Sequence, residues 1–261
     1  MKTGSTTVHS ARSTAFFLWT LLLAVLPCHP NSTPPPPSTS PSESAYHHAR
    51  ASWDASPTNL TLAVHCARAA FNWADTQVSK PERARIAQIG IEIAQDALVQ
   101  DPGSAGAHYY LALNLGQLAR TRSITALKLV SRMESSLLTA RSLDETFDHA
   151  GPDRTLGLLY QDAPGWPTSV GSRSKARKHL ERALHLDPLY PGNRLAWVEA
   201  LAAWRDHPTA LKELALLDAE WPKAQEAFSG SIWESDWIEW KQRRNAVASR
   251  LGLPSSPRSL P

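Results

Sequence analysis

Histidine is the side chain best suited to acid–base work near neutral pH, and the body of this chain carries His65, His108, His149, His179, His185 and His207. They are scattered over different predicted helices, and each reads as a surface or capping residue rather than as a base or a metal ligand. His47 and His48 stand together, but inside a Pro/Ser-rich stretch with no further ligand nearby. There is no nucleophile elbow, phosphate-binding loop, His-Glu-x-x-His zinc motif or cysteine cluster, and the serines gather in tail and loops without a fixed base beside them. The chemistry left to this chain is binding, with no cofactor and no metal.

Aromatic and basic side chains are the candidates for that work. Trp166 sits in Pro164-Gly165-Trp166-Pro167, a rigid turn that can present one large ring at a fixed angle. It serves either as a binding element, together with neighbouring Tyr160 and Arg154, or as a plug between the two halves of the chain. Trp233, Trp237 and Trp240 fall at i, i+4 and i+7, with Val247 and Leu251 continuing the stripe. Glu234, Asp236, Glu239 and Lys241 occupy the other faces, so this helix reads as the closing cap of the fold. The second reading of the three tryptophans is the lining of an oligomer interface or a hydrophobic cavity. Arg173, Lys175, Arg177, Lys178 and Arg182 crowd the start of one helix, where they oppose its dipole. They read as a solvated face, or as a patch for an acidic partner or lipid headgroup.

The elements that must position these residues are helices. Apolar residues recur every three or four positions beyond residue 58, Pro and Gly mark the breaks, and no window alternates like a strand. Predicted helices cover 60–78, 81–100, 104–120, 124–148, a short piece at 153–161, then 174–186, 192–206, 209–220 and about 233–251. In the fourth, Leu127, Val130, Met133, Leu137, Ala140 and Phe147 face inward, and Gly151-Pro152 closes the first half. The stretch ALVQDP ending at Pro102 returns as ALHLDP ending at Pro188, 86 positions later. The same offset pairs Gly90 with Ala176, Gly106 with Gly192 and Leu115 with Leu201. Small residues where two helices approach, a large one between them and a Pro to stop the helix make a packing unit that repeats. The spacing resembles the tetratricopeptide (TPR) repeat, whose period is about 34 residues. The fold class expected is therefore all-α, antiparallel helix pairs in a degenerate TPR-like array over 59–252.

The chain of 261 residues has a formal net charge of +3, with both signs mixed along it, which gives no case for nucleic acid. Lys2 and Arg12 precede an uncharged run from Ala15 to Leu26, too short to span a bilayer but suited to an export signal. Cys28 follows, with Val25 three positions before it, as in a bacterial lipobox; Pro27 departs from that pattern. Three mature forms follow from this segment: acylation at Cys28 (signal 1–28), a soluble exported protein cut nearby, or an uncleaved signal anchor. The Pro/Ser/Thr-rich residues 29–58 read as a disordered tether and 253–261 as a disordered tail. Cys66 reads as a small buried apolar residue.

One segment carries a sharper likeness. GPDRTLGLLYQDAPGWPTSVGSRSKARKHLERALHLDP (Gly151 to Pro188), with LALNLGQ (Leu111 to Gln117) and the N-terminal Cys, resembles the T-component lipoproteins of TRAP (tripartite ATP-independent periplasmic) transporters. The resemblance implies a helical periplasmic protein that associates with a solute-binding protein and passes or stores a hydrophobic ligand through a pore formed on oligomerisation. The sequence thus yields three functional expectations: a periplasmic TPR-like adaptor of a TRAP-type system, a carrier with a hydrophobic small molecule in its helical cavity, or a generic envelope interaction scaffold. Membrane association is expected only through the N-terminal lipid or signal anchor.

Overall fold

Serine, asparagine and aspartate open the helices of this chain, and proline follows in the first turn of several of them. Asn59 Oδ1 accepts from the backbone N–H groups of Thr61 and Leu62, while Ser40, Ser104, Ser172 and Asp206 each take one N–H at their own helix start. Pro41, Pro81, Pro191 and Pro208 sit where a missing N–H costs nothing. A computed structural model describes residues 40–123 and 125–253. The predicted export signal, Cys28 and the tail from 254 lie outside the described residues.

All of the described residues belong to one compact unit. Ten α-helices make it up, with no strand among the described residues. Four helical hairpins follow one another: α2 (Leu60–Thr76) with α3 (Lys80–Gln100), α4 (Ala105–Ala119) with α5 (Ala126–Leu143), α6 (Phe147–Asp162) with α7 (Arg173–Leu186), and α8 (Pro191–Ala203) with α9 (His207–Ala227). Before them α1 (Pro41–Asp54) packs on α2, and after them a 3₁₀ turn, Ser231–Trp233, leads into α10 (Glu234–Arg250), which packs on α8. The first helices of successive hairpins touch one another, so α2, α4, α6, α8 and α10 run side by side. The 86-residue repeat matches α3 with α7 and the start of α4 with that of α8, as the pairing predicts.

Small residues set the spacing of the hairpins. Ala63, Cys66, Ala67, Ala70 and Ala74 form a fully buried stripe on α2. On α3, Gly90 lies so close to α4 that a methyl group there would meet Asn114 Oδ1 at 2.2 Å. Asn114 cannot retreat easily, because its buried amide donates to Ala67 O at 3.1 Å and Tyr110 O at 2.8 Å. One side chain thereby ties α2 to α4 while lying over α3.

Three boundaries differ from the sequence reading. Residues 41–54 are helical, although the Pro/Ser-rich composition placed them in a disordered tether over 29–58. Tyr46 and Trp53, two turns apart, are both buried, and Tyr46 stacks on Trp73 with 5.1 Å between ring centres. That apolar contact offsets the ordering entropy that average composition says cannot be met. The helix expected over 124–148 ends at Leu143, because Asp144 Oδ1 accepts from both the backbone N–H and the hydroxyl of Thr146 and turns the chain. Leu127, expected inside, is 38 % exposed. Gly151 and Pro152 do not close the first half; they open the right-handed part of α6.

Charge pairing is also tighter than expected. The basic run on α7 is more than a solvated face: Arg173 lies over Trp204, Lys175 over Tyr160, Arg177 against Glu181 and two indoles, and Arg182 against Glu145. His179, read as a surface residue, is buried with its Nδ1 2.6 Å from Asp153, a carboxylate that has no solvent exposure and also takes Arg141 at 2.9 Å. An unpaired carboxylate there would not remain charged, so the three side chains fix α5, α6 and α7 together.

Two outcomes test this packing. Gly90→Ala should cost about 1–3 kcal/mol and lower Tm by several degrees in a thermal circular-dichroism melt. Burial holds Cys66 protonated, its pKa pushed up to about 11. In a Cys28→Ser chain at pH 8, a disulfide reagent should therefore label Cys66 only at the rate of unfolding. Because the unfolded thiol ionises at lower pH than the folded one, native stability should fall as the pH is raised towards 11.

Candidate functional site

At the junction of α5 and α6, three consecutive residues adopt left-handed backbone angles: Asp148 (φ 51°), His149 (φ 57°) and Ala150 (φ 60°). For residues with a Cβ each such conformation costs about 1–2 kcal/mol, and Ala150 has no polar side chain to compensate. The turn persists because donors from elsewhere in the fold take the carbonyls of Asp148 and His149 and one oxygen of the Asp148 carboxylate. Arg154 donates to His149 O at 2.9 Å, to Asp148 O at 3.2 Å and to Asp148 Oδ2 at 3.1 Å. Asn193, at the start of α8, donates to His149 O at 3.1 Å and accepts from Arg154 at 2.9 Å. Tyr109 on α4 donates to Asp148 Oδ2 at 3.0 Å. Gly151 is required beside it, since a Cβ there would lie 2.7 Å from the Tyr109 hydroxyl.

The side chains of the turn face an opening. His149 lies parallel to the Tyr190 ring at 4.4 Å, and its Nδ1 is 2.7 Å from Asp187 Oδ2. Asp187 belongs to the repeated Asp-Pro, and its other carboxylate oxygen accepts from the Tyr190 backbone N–H. Arg154 also lies over the Tyr190 ring, 5.0 Å from its centre. Desolvation opposes the charge of Arg154, yet Tyr109, Tyr190 and Asp148 together raise its pKa, and burial pushes Tyr190 up to about 12. Both therefore keep their neutral-pH protonation states, cation and phenol.

Two adjoining cavities lie along the face where the first helices of the hairpins meet. One, of about 410 Å³, is walled by Asp148, His149, Asp187, Tyr190, Ile232 and Trp233. The other, of about 400 Å³, is walled by Leu60, Val64, His65, Gly106, Tyr110 and Phe147. Arg68 of α2 and Asp148 border both. The combined groove therefore has aromatic walls and a charged ridge across its middle. Its lining mixes these rings with many polar side chains, Thr146, Asp187, Thr61, Asp101 and Ser104 among them, so it can take a partner that offers both apolar and polar groups.

The sequence-predicted site residues divide three ways. Arg154 holds the 148–150 turn and is not among the residues that wall the two cavities, whereas Trp233 is part of the wall. Trp240 is buried, and half-buried Trp237 donates its indole N–H to Phe228 O at 2.7 Å, so both belong to the packing between α8, α9 and α10. Tyr160 is buried with its hydroxyl donating to Glu134 at 2.7 Å, away from the groove. Trp166 is 88 % exposed on its loop, which overturns the reading of it as a plug between the halves. Sequence reasoning passed over Arg68, Tyr110, Asp148, Tyr190 and Asn193. The signals were a single cation set in the alanine stripe of α2, and the residues that follow the second copy of the repeat (Leu189 to Asn193).

Comparison with known proteins supports the fold. No family model matches the chain, and no curated protein matches it. Among solved structures, a thermophilic TPR protein of Thermus thermophilus aligns with 81 % of this chain and 91 % of its own, at 19 % identity and a TM-score of 0.59. MamA aligns with 71 % of this chain and 91 % of its own, at 16 % identity and a TM-score of 0.48. The chain has an all-α, TPR-like fold.

The two halves of the site analysis separate by experiment. Arg154→Met leaves Asp148 O without the Arg154 donor and Asp148 Oδ2 without its cation, and should cost about 2–5 kcal/mol in chemical unfolding. Trp166→Ala should leave the same unfolding midpoint within error.

Proposed function

We propose that this chain is an exported interaction scaffold that receives an extended segment of a partner protein along the groove between α2, α4, the 148–150 turn and Trp233. The observation that supports this is the pair of adjoining cavities, about 410 and 400 Å³, lying along the face of a TPR-like array. Aromatic rings supply buried apolar area, while Arg68 and the His149–Asp187 pair offer fixed polar contacts at intervals suited to a peptide. The partner in this reading is the periplasmic solute-binding component of a TRAP-type uptake system. Its support is the resemblance of Gly151 to Pro188, whose Asp187 lines the groove and whose Gly151 and Arg154 hold the turn beside it. Export rests on the 15–26 apolar run and anchoring on Cys28, by acylation or through an uncleaved signal.

A carrier for a hydrophobic small molecule is the competing reading. The charged ridge at the centre of the groove favours a polar chain over a hydrocarbon, because an alkyl ligand would desolvate Arg68 and Asp148 without replacing their water. Native mass spectrometry of protein from its own membranes decides between them. The proposal expects a co-purifying solute-binding protein, and its loss from the Ile232→Ser variant, whose side chain is 76 % exposed and lines the groove. A retained lipid-like small molecule with no protein partner would overturn it.

A further inference from the structure

Arg68 stands apart from the other arginines that border the groove and the helix junctions. Arg141, Arg154, Arg182, Arg194, Arg243 and Arg244 each hold a carboxylate in an ion pair. Arg68 is exposed, borders both cavities, and makes no hydrogen bond or ion pair among the described residues. The acidic groups around it have other engagements: Asp101, which lines one cavity, accepts from the Gly103 N–H, and Asp187, which lines the other, takes His149 and the Tyr190 N–H. Asp148 is held by Arg154 and Tyr109, and Asp236 acts on Arg68 only through the field. Burial raises the pKa of Asp236, so its negative charge is itself disfavoured there.

The surroundings of Arg68 are built to keep its guanidinium available. It rises from α2 beside the buried stripe Ala67, Ala69 and Ala70, none of which can hydrogen-bond it from a side chain. On one side stand Tyr110 and Phe147, in edge contact at 6.1 Å; on the other stand Tyr190 and Trp233, at 6.3 Å. A planar fork of donors between two aromatic walls suits a carboxylate flanked by apolar side chains, because the fork bonds both oxygens while the rings take the neighbours.

We infer that Arg68 is the anchor for an acidic side chain of a partner peptide, an Asp or Glu with aliphatic or aromatic residues next to it that lie in the two cavities. This deepens the groove reading and rests on it. A carboxylate at Arg68 completes a charge that the fold leaves without a partner, and it sets the register of the bound segment. Apolar neighbours of the bound carboxylate, seated against the aromatic walls, would cover the exposed guanidinium and so strengthen the contact.

The test is selection of a random-peptide phage library on the full chain lacking its first 39 residues and, in parallel, on its Arg68→Glu variant, with Arg68→Lys as a third arm. The wild type should enrich peptides with Asp or Glu beside an apolar residue. Arg68→Glu should lose those peptides and select basic ones. Arg68→Lys should keep the acidic preference but bind a synthetic copy of the best peptide about tenfold more weakly, since the ammonium lacks the two-pronged geometry. Binding to the wild type should weaken as salt is raised. Thermal melts of the wild type and Arg68→Lys should coincide, because the charge is kept and Arg68 has no hydrogen bond or ion pair to lose. Enrichment of peptides without acidic residues, or of the same peptides by wild type and Arg68→Glu, overturns the anchor and leaves the groove standing. No enrichment by the wild type overturns both.

Discussion

The left-handed turn from Asp148 to Ala150 is the constraint on which the groove depends. Three residues in that conformation cannot be held by local preference, since each would relax into right-handed helix if its carbonyls and side chains were free. They are held because Arg154 and Asn193, from the two helices that follow, take the carbonyl oxygens of Asp148 and His149. Asn193 also donates to Ala183 O and Asp187 O, which fastens the start of α8 to the end of α7. The turn therefore does more than reverse the chain. It puts His149 against Tyr190, presents Asp148 at the ridge of the groove, and lets α6 enter directly beneath both.

Around this turn the polar interior is organised by pairs that cross between helices. Asp153 joins α5, α6 and α7 through Arg141 and His179. Arg194 on α8 reaches Glu213 and Glu220 on α9, and Arg244 on α10 reaches Asp218. Such buried pairs contribute little net stability over apolar packing, but removing one partner strands the other, so they act as register marks. They are needed because alanine-rich helices slide easily: a stripe such as Ala63, Ala67, Ala70 and Ala74 packs closely at more than one offset. Gly90 against Asn114 serves the same end by shape.

The tryptophans divide along the same lines. Trp221, Trp237 and Trp240 interlock by edge contacts and seal the space between α8, α9 and α10. Trp197 and Trp204 carry the cations of α7. Trp233, the N-cap of α10, packs on Phe228 and Trp240 and also lines the groove. Aromatic residues of one short segment thus serve both core and surface.

Helix content, pairing and the repeated packing unit were legible in the chain, because amphipathic period, Ser/Asn/Asp caps and Pro in the first turn are local properties. The repeat of Ala-Leu and Asp-Pro related α3 to α7, while Arg154, named as a binding residue, lies in the packing that holds the 148–150 turn. Composition misled at 41–54, where two aromatic side chains mattered more than the average around them. What only the tertiary structure decided is which polar residues share a site. Arg68 and Asp148 lie eighty positions apart, and nothing in their own neighbourhoods distinguishes an unpaired cation from a paired one. That distinction is a matter of where other helices place their carboxylates, and it is set by long-range packing that no sequence window contains.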